Sequence, residues 1–356
     1  MFWSKNNIIE KVSKIPNTLE AISEDIFSGM NPDKEYLHRV SLQEVGSPLY
    51  FCMRLNKNLS LEPELMYPSI DSSLSNEYAI HPSPYRFILP YDLKGVDTGK
   101  EPRLFEPEEL KLKFPMIYFG FVEFKKYFNH DQIPLSSADY DLSGCKLLQY
   151  VNTPKIVVSD HYSLQASFDT VGNHIFEKGC GIILKDPSRY LYVLAVLNSS
   201  ISRVFSEICK SEGLCNGSLT PGALRRFPIV FPTDRVLESL IDTLSSYLIY
   251  IHSQMYGITL NENSGDYELL KFYERIVNLL VLDVYFTNDL DPMFLKILGE
   301  NIQPINDECM RENNRDLMDK MQIIKQKILD VPDFGKCRFN SEFTNILATL
   351  KNNGVW

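Results

Sequence analysis

The stretch NGSLTPGALRRFPI, residues 216–229, places short polar side chains and an arginine pair inside an acidic chain. Arg225 and Arg226 carry the charge and the donors that phosphate oxygens or the edge of a guanine require. Asn216, Ser218 and Thr220 offer hydrogen-bonding groups suited to base edges or phosphates. The plainer interpretation is a turn followed by a helix end, where arginines favour the helix dipole. The segment therefore predicts either a nucleic-acid contact or ordinary turn chemistry.

Charge is distributed unevenly along the chain. The net charge is −10, yet residues 151–232 hold 8 Lys and Arg against 6 Asp and Glu, whereas residues 1–150 hold 16 against 21 and residues 233–356 hold 12 against 19. Lys185 and Arg189 flank a predicted turn in the basic third and are suited to anchoring phosphates. Because phosphate contact needs only a local basic face, the acidic total does not exclude DNA, although it favours a protein partner.

None of the common catalytic or metal-binding patterns appears in the sequence. It lacks GxGxxG, GxxxxGK and HExxH, and its seven cysteines form no CxxC pair. Ser159, Asp160 and His161 are the residue types of a hydrolase triad, but consecutive strand residues point to opposite faces. Glu123 and Lys125 match only the tail of a nuclease motif. We therefore expect no catalytic residues and no metal site in this chain.

Hydrophobic periodicity divides the chain near residue 232. Upstream, short apolar and aromatic runs predict strands among helices. Downstream, apolar residues recur at helical spacing, for example at 236, 240, 244 and 248. We predict an α+β fold, with a mixed α/β domain over residues 1–232 and an all-helical C-terminal extension over residues 233–356. The predicted strands are 49–56, 85–91, 154–160 and 174–186, and the predicted helices are 106–128 broken at Pro115, 189–210, 234–255, 268–286 and 317–329.

Composition places the chain among folded globular proteins. It has 356 residues, of which 44% are hydrophobic and 12% aromatic. No run approaches the roughly 18 apolar residues of a membrane span, and the first residues lack the pattern of a secretory signal. An odd number of scattered cysteines fits a reducing compartment. We expect a cytoplasmic protein without a membrane partner.

Several segments occur in a characteristic order over residues 20–232. In chain order they are ISEDIFSGM, LEPELMYPSI, YRFILPYDLKG, EPEELKLKFPMIYFGFVEFKKYF, TPKIVVSD, GCGIILKD, LAVLNSSISRVF and NGSLTPGALRRFPIVFP. This series resembles the C-terminal specificity (target-recognition) domain of TaqI-like adenine-specific DNA methyltransferases and type IIG restriction–modification enzymes. That domain is itself similar to half of a type I specificity subunit.

The resemblance implies a module that recognises a double-stranded DNA sequence and leaves catalysis to a partner. The partner would be a methyltransferase domain or subunit that carries S-adenosylmethionine and methylates a flipped adenine. The helical extension would hold this partner or form a homodimer. The resemblance also implies that side chains near the PKI strand reach toward DNA, where a solvated strand end is the alternative. These side chains are Lys155, Ser159, His161 and Tyr162.

The chain departs from the family in lacking the N-P-P-(Y/F) motif of the methyltransferase half. We therefore expect it to bind rather than to catalyse. Two other classes of function stay open. One is a protein-interaction module that captures a methyltransferase or another partner without touching DNA. The other is an enzyme with an unrecognised site, which would lose turnover when one Asp, Glu or His is replaced.

Overall fold

The structure is a computed structural model, and the residues that it describes leave several gaps in the chain. They are residues 4–30, 38–43, 49–53, 55–70, 77–81, 83–129, 134–159, 164–214, 219–255, 264–287, 290–304, 315–332, 334, 341–352 and 354.

The described strands form three antiparallel sheets. In chain order they are Ser23–Ser28 (β1), Arg39–Leu42 (β2), Leu49–Cys52 (β3), Lys57–Ser60 (β4), Met66–Pro68 (β5), Tyr85–Ile88 (β6), Tyr91–Asp92 (β7), Arg103–Leu104 (β8), Lys155–Val158 (β9), Ala166–Asp169 (β10) and Cys180–Leu184 (β11). The sheets have the strand orders β1-β11-β9-β10, β4-β3-β2-β6-β5 and β7-β8. Together with the helices below, they confirm the predicted α+β class.

The described helices come in pairs before two groups of strands and then follow one another after β11. In chain order they are Lys5–Ser13 (α1), Leu19–Ile22 (α2), Pro107–Lys113 (α3), Pro115–Asn129 (α4), Tyr190–Leu197 (α5), Ser200–Ser211 (α6), Pro221–Arg225 (α7), Arg235–Gln254 (α8), Gly265–Phe286 (α9), Pro292–Asn301 (α10), Arg315–Asp330 (α11) and Ser341–Asn352 (α12). The C-terminal part of the molecule is helical, as predicted.

The four-stranded sheet has one end at which four strands begin or finish together. Ser28 pairs with Cys180, Cys180 with Val158, and Val158 with Ala166. We call this the loop end of the sheet. The opposite end is formed by pairs such as Lys155 with Asp169.

Glycine makes the turn into β11 possible at the loop end. Gly179 has a φ of +96°, and a Cβ there would lie 2.2 Å from the carbonyl oxygen of Val158. At Gly181 a Cβ would meet the ring of Phe27 at 2.4 Å. The glycines of the GCGIIL stretch therefore allow close packing of β11 against its neighbours.

The second sheet has a core of its own. Helices α3 and α4 pack against it through residues such as Leu110, Ile117 and Phe124, which are buried with Val40 and Tyr50 of the strands. The expected helix break at Pro115 is confirmed, because α3 ends two residues before this proline and α4 begins with it.

One hydrophobic core joins the four-stranded sheet to the helical part. Ile156 of β9 and Leu194 of α5 belong to the same buried cluster as Leu244 of α8 and Leu280 of α9. Helix α8 packs directly on α5 and on α9. Residue 232 therefore marks a change of secondary structure but not a break in packing. Most of the apolar stripe residues of the tail are covered within the chain.

Local details differ from the sequence prediction. The predicted helix over 189–210 is two helical segments bent by 72°. The first, Pro187–Leu197, is a 3-10 turn over Pro187–Arg189 followed by α5, and the second, Ser200–Ser211, is α6. The break follows from Ser199, whose side chain caps α6 by accepting from Ile201 N. Val236, predicted on the buried stripe of α8, is 71% exposed. The sequence also gave no signal that we recognised for α1, α10, α12 or the short strand β10.

No single helix in the described part of the chain is long and apolar enough to cross a membrane. The bent pair above meets the length and composition criteria only when its two helices are taken together.

Candidate functional site

The structure brings two of the predicted groups to the loop end of the four-stranded sheet. Ser159 follows β9, where its N–H donates to Gln165 O (2.9 Å) and its hydroxyl accepts from Gln165 N (3.3 Å). Leu219, which precedes Thr220, lies beside the first residue of β11, because Cys180 Sγ donates to Leu219 O at 3.9 Å. The predicted residues His161, Tyr162, Asn216 and Ser218 lie outside the described residues.

Lys185 and Arg189 lie at the opposite end of the same sheet. Lys185 follows β11 and donates from Nζ to Ala21 O at 2.8 Å. Arg189 forms an ion pair with Glu238, and its guanidinium stacks 4.3 Å from the ring centre of Phe231. The predicted DNA-binding residues are therefore divided between two ends of the sheet.

Lys155 is buried, which corrects the expectation that its side chain reaches DNA. Its side chain has no exposed surface, and Nζ lies 3.0 Å from Asp169 Oδ2. Nζ also donates to the carbonyl oxygens of Tyr150 and Gly172. Burial lowers the pKa of Lys155 and outweighs the opposing effect of Asp169. With its donors satisfied inside the protein, Lys155 is a structural residue.

The arginine pair has two distinct roles. Arg225 Nη2 donates to Ile26 O at 2.6 Å and lies 3.3 Å from Asp25 Oδ1, so it ties α7 to β1. Arg226 is 58% exposed and makes a 3.5 Å ion pair with Glu212. Only Arg226 of this pair presents most of its side chain to solvent.

Asp25 is the buried anchor for Arg225. Its Oδ2 also accepts from Lys146 Nζ (2.7 Å) and Tyr150 OH (3.1 Å), while Oδ1 accepts from Ile26 N (2.8 Å). Burial raises the pKa of Asp25, but these donors outweigh it, and the pKa lies below its usual value. Asp25 is therefore a charged structural hub that fixes the base of α7.

Thr220 also has a structural contact. Its hydroxyl accepts from Ala223 N at 3.2 Å and caps α7. Together with Arg225, this cap fixes the described chain that follows residue 218.

A polar cavity of about 330 Å³ lies at the β10 side of the loop end. Tyr78 runs beside β10, donating to Ala166 O at 2.7 Å, and Asn198 makes two hydrogen bonds to the backbone of Ala166. The cavity is bordered by these segments and by α6 and α9. Its polar walls include Glu77, Asn198, Arg203, Lys271, Glu274 and Arg275.

Polar contacts fix the wall between α6 and α9. Asn278 Oδ1 accepts from Ser200 N at 2.8 Å, and Asn278 Nδ2 donates to Ser200 Oγ at 2.9 Å. The first turn of α6 is thereby held against the middle of α9. Arg203, one turn further along α6, is exposed at the cavity.

A cluster of two glutamates and one histidine lies beside this cavity. The ligand atoms of Glu77, His252 and Glu274 all lie within 4.8 Å of one another. His252 Nε2 is 3.5 Å from Glu274 Oε1, and Lys271 Nζ is 2.7 Å from Glu274 Oε2. Burial raises the pKa of Glu274, but His252 and Lys271 outweigh it, so the net pKa is lowered.

Sequence reasoning missed this cluster because its members come from three separate elements. Glu77 precedes the segment beside β10, His252 is near the end of α8, and Glu274 is in α9. No spacing rule within one helix or loop relates them. The closest sequence signal was the predicted pairing of the helices 234–255 and 268–286.

Comparison with known proteins gives no assignment. No protein family model matches the chain, and no curated protein matches it.

Proposed function

We propose that the chain is a double-stranded DNA recognition module of a restriction–modification system. The observation that carries this proposal is the gathering of chain connections at the loop end of the four-stranded sheet. Three connections have a described end there. They are the segment after β9, the turn before β11 and the segment before α7. Of the residues predicted to contact DNA, Ser159 lies at this end, and Thr220 directly follows Leu219, which lies there.

The loop end is wider than a DNA groove, so its connections rather than the sheet itself would enter the groove. Four strands spaced about 4.8 Å apart span roughly 14 Å, whereas the major groove of B-DNA is about 12 Å wide. Side chains carried by the connections would read base edges, and the rigid sheet would hold them in place. Exposed cations near this end are suited to the flanking phosphates; they are Lys178 in the turn before β11 and Arg203 beside the polar cavity. Arg226 is a further exposed cation, but it follows α7, which contacts the middle of β1.

In this proposal the chain binds DNA and carries out no chemical step on it. A methyltransferase domain or subunit with S-adenosylmethionine would flip an adenine out of the duplex and methylate it. The resemblance supports this division of labour, since the chain lacks the motif that holds the target adenine.

The test is selection from a random duplex pool by the purified chain over a series of salt concentrations, with sequencing of the retained DNA. We expect an enriched motif and an affinity that falls as salt rises. Lys178→Ala should weaken binding and reduce the salt slope by about 0.9 for the lost phosphate contact. Because Lys185 lies at the opposite end of the sheet, this proposal does not use it as a phosphate contact. Lys185→Ala removes the same charge there and is the matched control.

Two further variants separate recognition from folding. Asn216→Ala combined with Ser218→Ala should change the enriched motif with little change in salt slope, because base contacts carry the sequence preference. Arg225→Ala should lower the thermal stability, whereas Arg226→Ala should weaken DNA binding without that loss. Equal effects of Lys178→Ala and Lys185→Ala, or no DNA retention with and without a methyltransferase partner, would contradict the proposal.

A second candidate function is supported by an exposed apolar face on α3 and α4, the helices that pack against the five-stranded sheet. Leu112 is 83% exposed on α3, and Met116, Phe119 and Tyr127 on α4 are each about half exposed, at 49%, 56% and 56%. Their spacing places the three α4 residues along one side of the helix. Together with the net charge of −10, this face favours a module that binds a methyltransferase subunit without DNA.

The DNA-binding and the protein-binding functions predict different effects of substitutions in this face. If the module acts through this face, Leu112→Ser combined with Phe119→Ser abolishes capture of the methyltransferase subunit, and the random pool yields no motif. If it acts through DNA, the same double variant retains the wild-type motif and salt slope. Circular dichroism of the variant checks that the exposed substitutions leave the fold intact.

A further inference from the structure

We propose that Glu77, His252 and Glu274 form a binding site for a divalent transition-metal ion with one coordination position open to the polar cavity. This inference does not depend on the DNA-recognition proposal. It assigns a ligand to side chains that neither the predicted DNA contacts nor the hydrophobic core requires.

The separations are close to those of a metal site. For zinc bound at about 2.0–2.1 Å in tetrahedral geometry, ligand atoms lie about 3.3 Å apart. His252 Nε2 and Glu274 Oε1 are already 3.5 Å apart. All three donors lie within 4.8 Å of one another, so binding a metal ion requires them to draw closer by at most about 1.5 Å.

The surroundings of His252 are suited to a cation. Its Nε2 atom is buried and has no hydrogen bond of ordinary geometry, although a carboxylate oxygen lies close by. A buried polar atom without a partner is costly. When Nε2 is unprotonated, two acceptors face each other, and a metal ion between them would satisfy both.

Neighbouring residues hold the three side chains in orientation. The ring of His252 stacks on Tyr78, with centroids 5.5 Å apart. Gln165 Nε2 lies 3.5 Å from Glu77 Oε1, and Lys271 holds the second oxygen of Glu274. Such outer contacts fix the direction of metal ligands. Lys271 also adds a positive charge, which opposes the binding of a cation.

The cavity supplies the open position. Glu77 and Glu274 line it together with Arg203 and Arg275, and its volume is about 330 Å³. Catalytic zinc sites have this arrangement, in which three protein ligands leave a fourth position for water or a substrate oxygen. One imidazole with two carboxylates suits Zn²⁺, Co²⁺ or Mn²⁺ better than an all-oxygen cation such as Ca²⁺. An anionic ligand would be favoured at the open position by the two arginines.

The experiment titrates the full chain with Co²⁺ after removal of metal by a chelator, and follows the visible absorption of the ion. Wild-type protein should bind one equivalent without a thiolate charge-transfer band, which separates this site from the seven cysteines. His252→Ala and Glu77→Gln should each weaken binding at least tenfold. His174→Ala, which removes a histidine paired with Asp169 instead, is the matched control and should leave the affinity unchanged.

A gain of affinity provides a sharper test than a loss. Lys271→Gln removes the charge 2.7 Å from Glu274 Oε2, so it should tighten Co²⁺ binding several-fold. Lys296→Gln, the same change on the exposed face of α10, should have no effect. If His252→Ala does not fold, Glu77→Gln and Lys271→Gln still test the site. Absence of Co²⁺ binding, a thiolate band, unchanged affinity in Glu77→Gln, or weaker binding in Lys271→Gln would each overturn the proposal.

Discussion

Lys155 shows how far the environment of one residue can depart from what its type suggests. A lysine beside a proline at the start of a strand predicts a solvated cation, yet this one is fully buried against Asp169. Asp169 is also held by His174, whose Nδ1 lies 2.9 Å from Oδ1. The three residues fix the described turn around Gly172 to the start of β9, because both Lys155 Nζ and Asp169 bond to Gly172.

Replacing this lysine should therefore change stability rather than DNA binding. Lys155→Met leaves the buried Asp169 without its lysine partner, although His174 and the backbone N–H of Gly172 still bond to it, and we expect the free energy of unfolding to fall by about 3–5 kcal/mol. Urea unfolding followed by circular dichroism measures the change. Lys185→Met, an exposed lysine beyond the same sheet, should cost less than about 0.5 kcal/mol. A loss below about 1 kcal/mol for Lys155→Met would show that the buried pair is unimportant.

Adjacent residues of the same type can have different contacts and exposure, and no local sequence pattern predicts the difference. Arg225 and Arg226 are the same residue type in the same short helix end, but Arg225 is directed to the buried Asp25 and Arg226 to solvent. The difference arises from the docking of α7 on β1, which is a tertiary contact. The sequence could mark the pair as noteworthy, whereas only the fold could separate an anchor from a candidate phosphate contact.

The packing of α8 against α5 contains a carboxylate with an unusual pKa. Burial and the charge of Glu238 raise the pKa of Asp242 to about 7, although Arg189 and the backbone N–H of Tyr192 oppose this. Tyr192 is the third residue of α5, so Asp242 connects the helical part to the helix that covers the sheet.

This interface should make stability depend on pH. The pKa of Asp242 in the folded protein exceeds its ordinary value of 3.8, so the folded state binds the proton more tightly than the unfolded state does. The protonated carboxyl therefore stabilises the fold, and this stabilisation is present in full at low pH. It is lost as pH rises from about 4 to 7, by about 2–4 kcal/mol. Asp242→Asn should flatten this part of the pH–stability curve and be more stable than wild type at pH 8. Asp319→Asn, at an exposed position of α11, is the control; an unchanged slope in Asp242→Asn would refute the assignment.

At the level of elements, the sequence was most informative where one face of a helix or a strand had to be buried. The stripes of α8 and α9 and the apolar runs of β6, β9 and β11 were predicted because their periodicity reflects a covered face. The helix α1 was missed since only Ile8 and Val12 of its nine residues are buried. The break between α5 and α6 was missed although its cap, Ser199, is local in sequence, because the apolar run continues on both sides of it. The Glu–His cluster was missed because its three members come from separate elements.

At the scale of the whole molecule, the boundary predicted at residue 232 suggests two independent domains, whereas the observed packing indicates that the two parts share one core. Composition and charge change there, from +2 over residues 151–232 (8 against 6) to −7 over residues 233–356 (12 against 19). The core does not change, because Leu244 and Leu280 of the tail are buried in the same cluster as Ile156 of the sheet. The N-terminal helix also packs on the last described helix of the chain. The two halves therefore depend on each other for burial.

We accordingly expect that neither half is stable when separated at residue 232. A fragment of residues 1–232 would expose the faces of α5 and β9 that α8 and α9 cover, and residues 233–356 would expose their own stripes, so both should aggregate or lack a cooperative unfolding transition. Co-expression of the two fragments should restore a soluble complex, since the buried faces can meet without the covalent link. The full chain should unfold in one transition for this core when urea is followed by circular dichroism. If residues 1–232 alone unfolded cooperatively at the urea midpoint of the full chain, the helical part would be a separate domain, and its role would be to hold a partner rather than to complete the core that fixes the loop end.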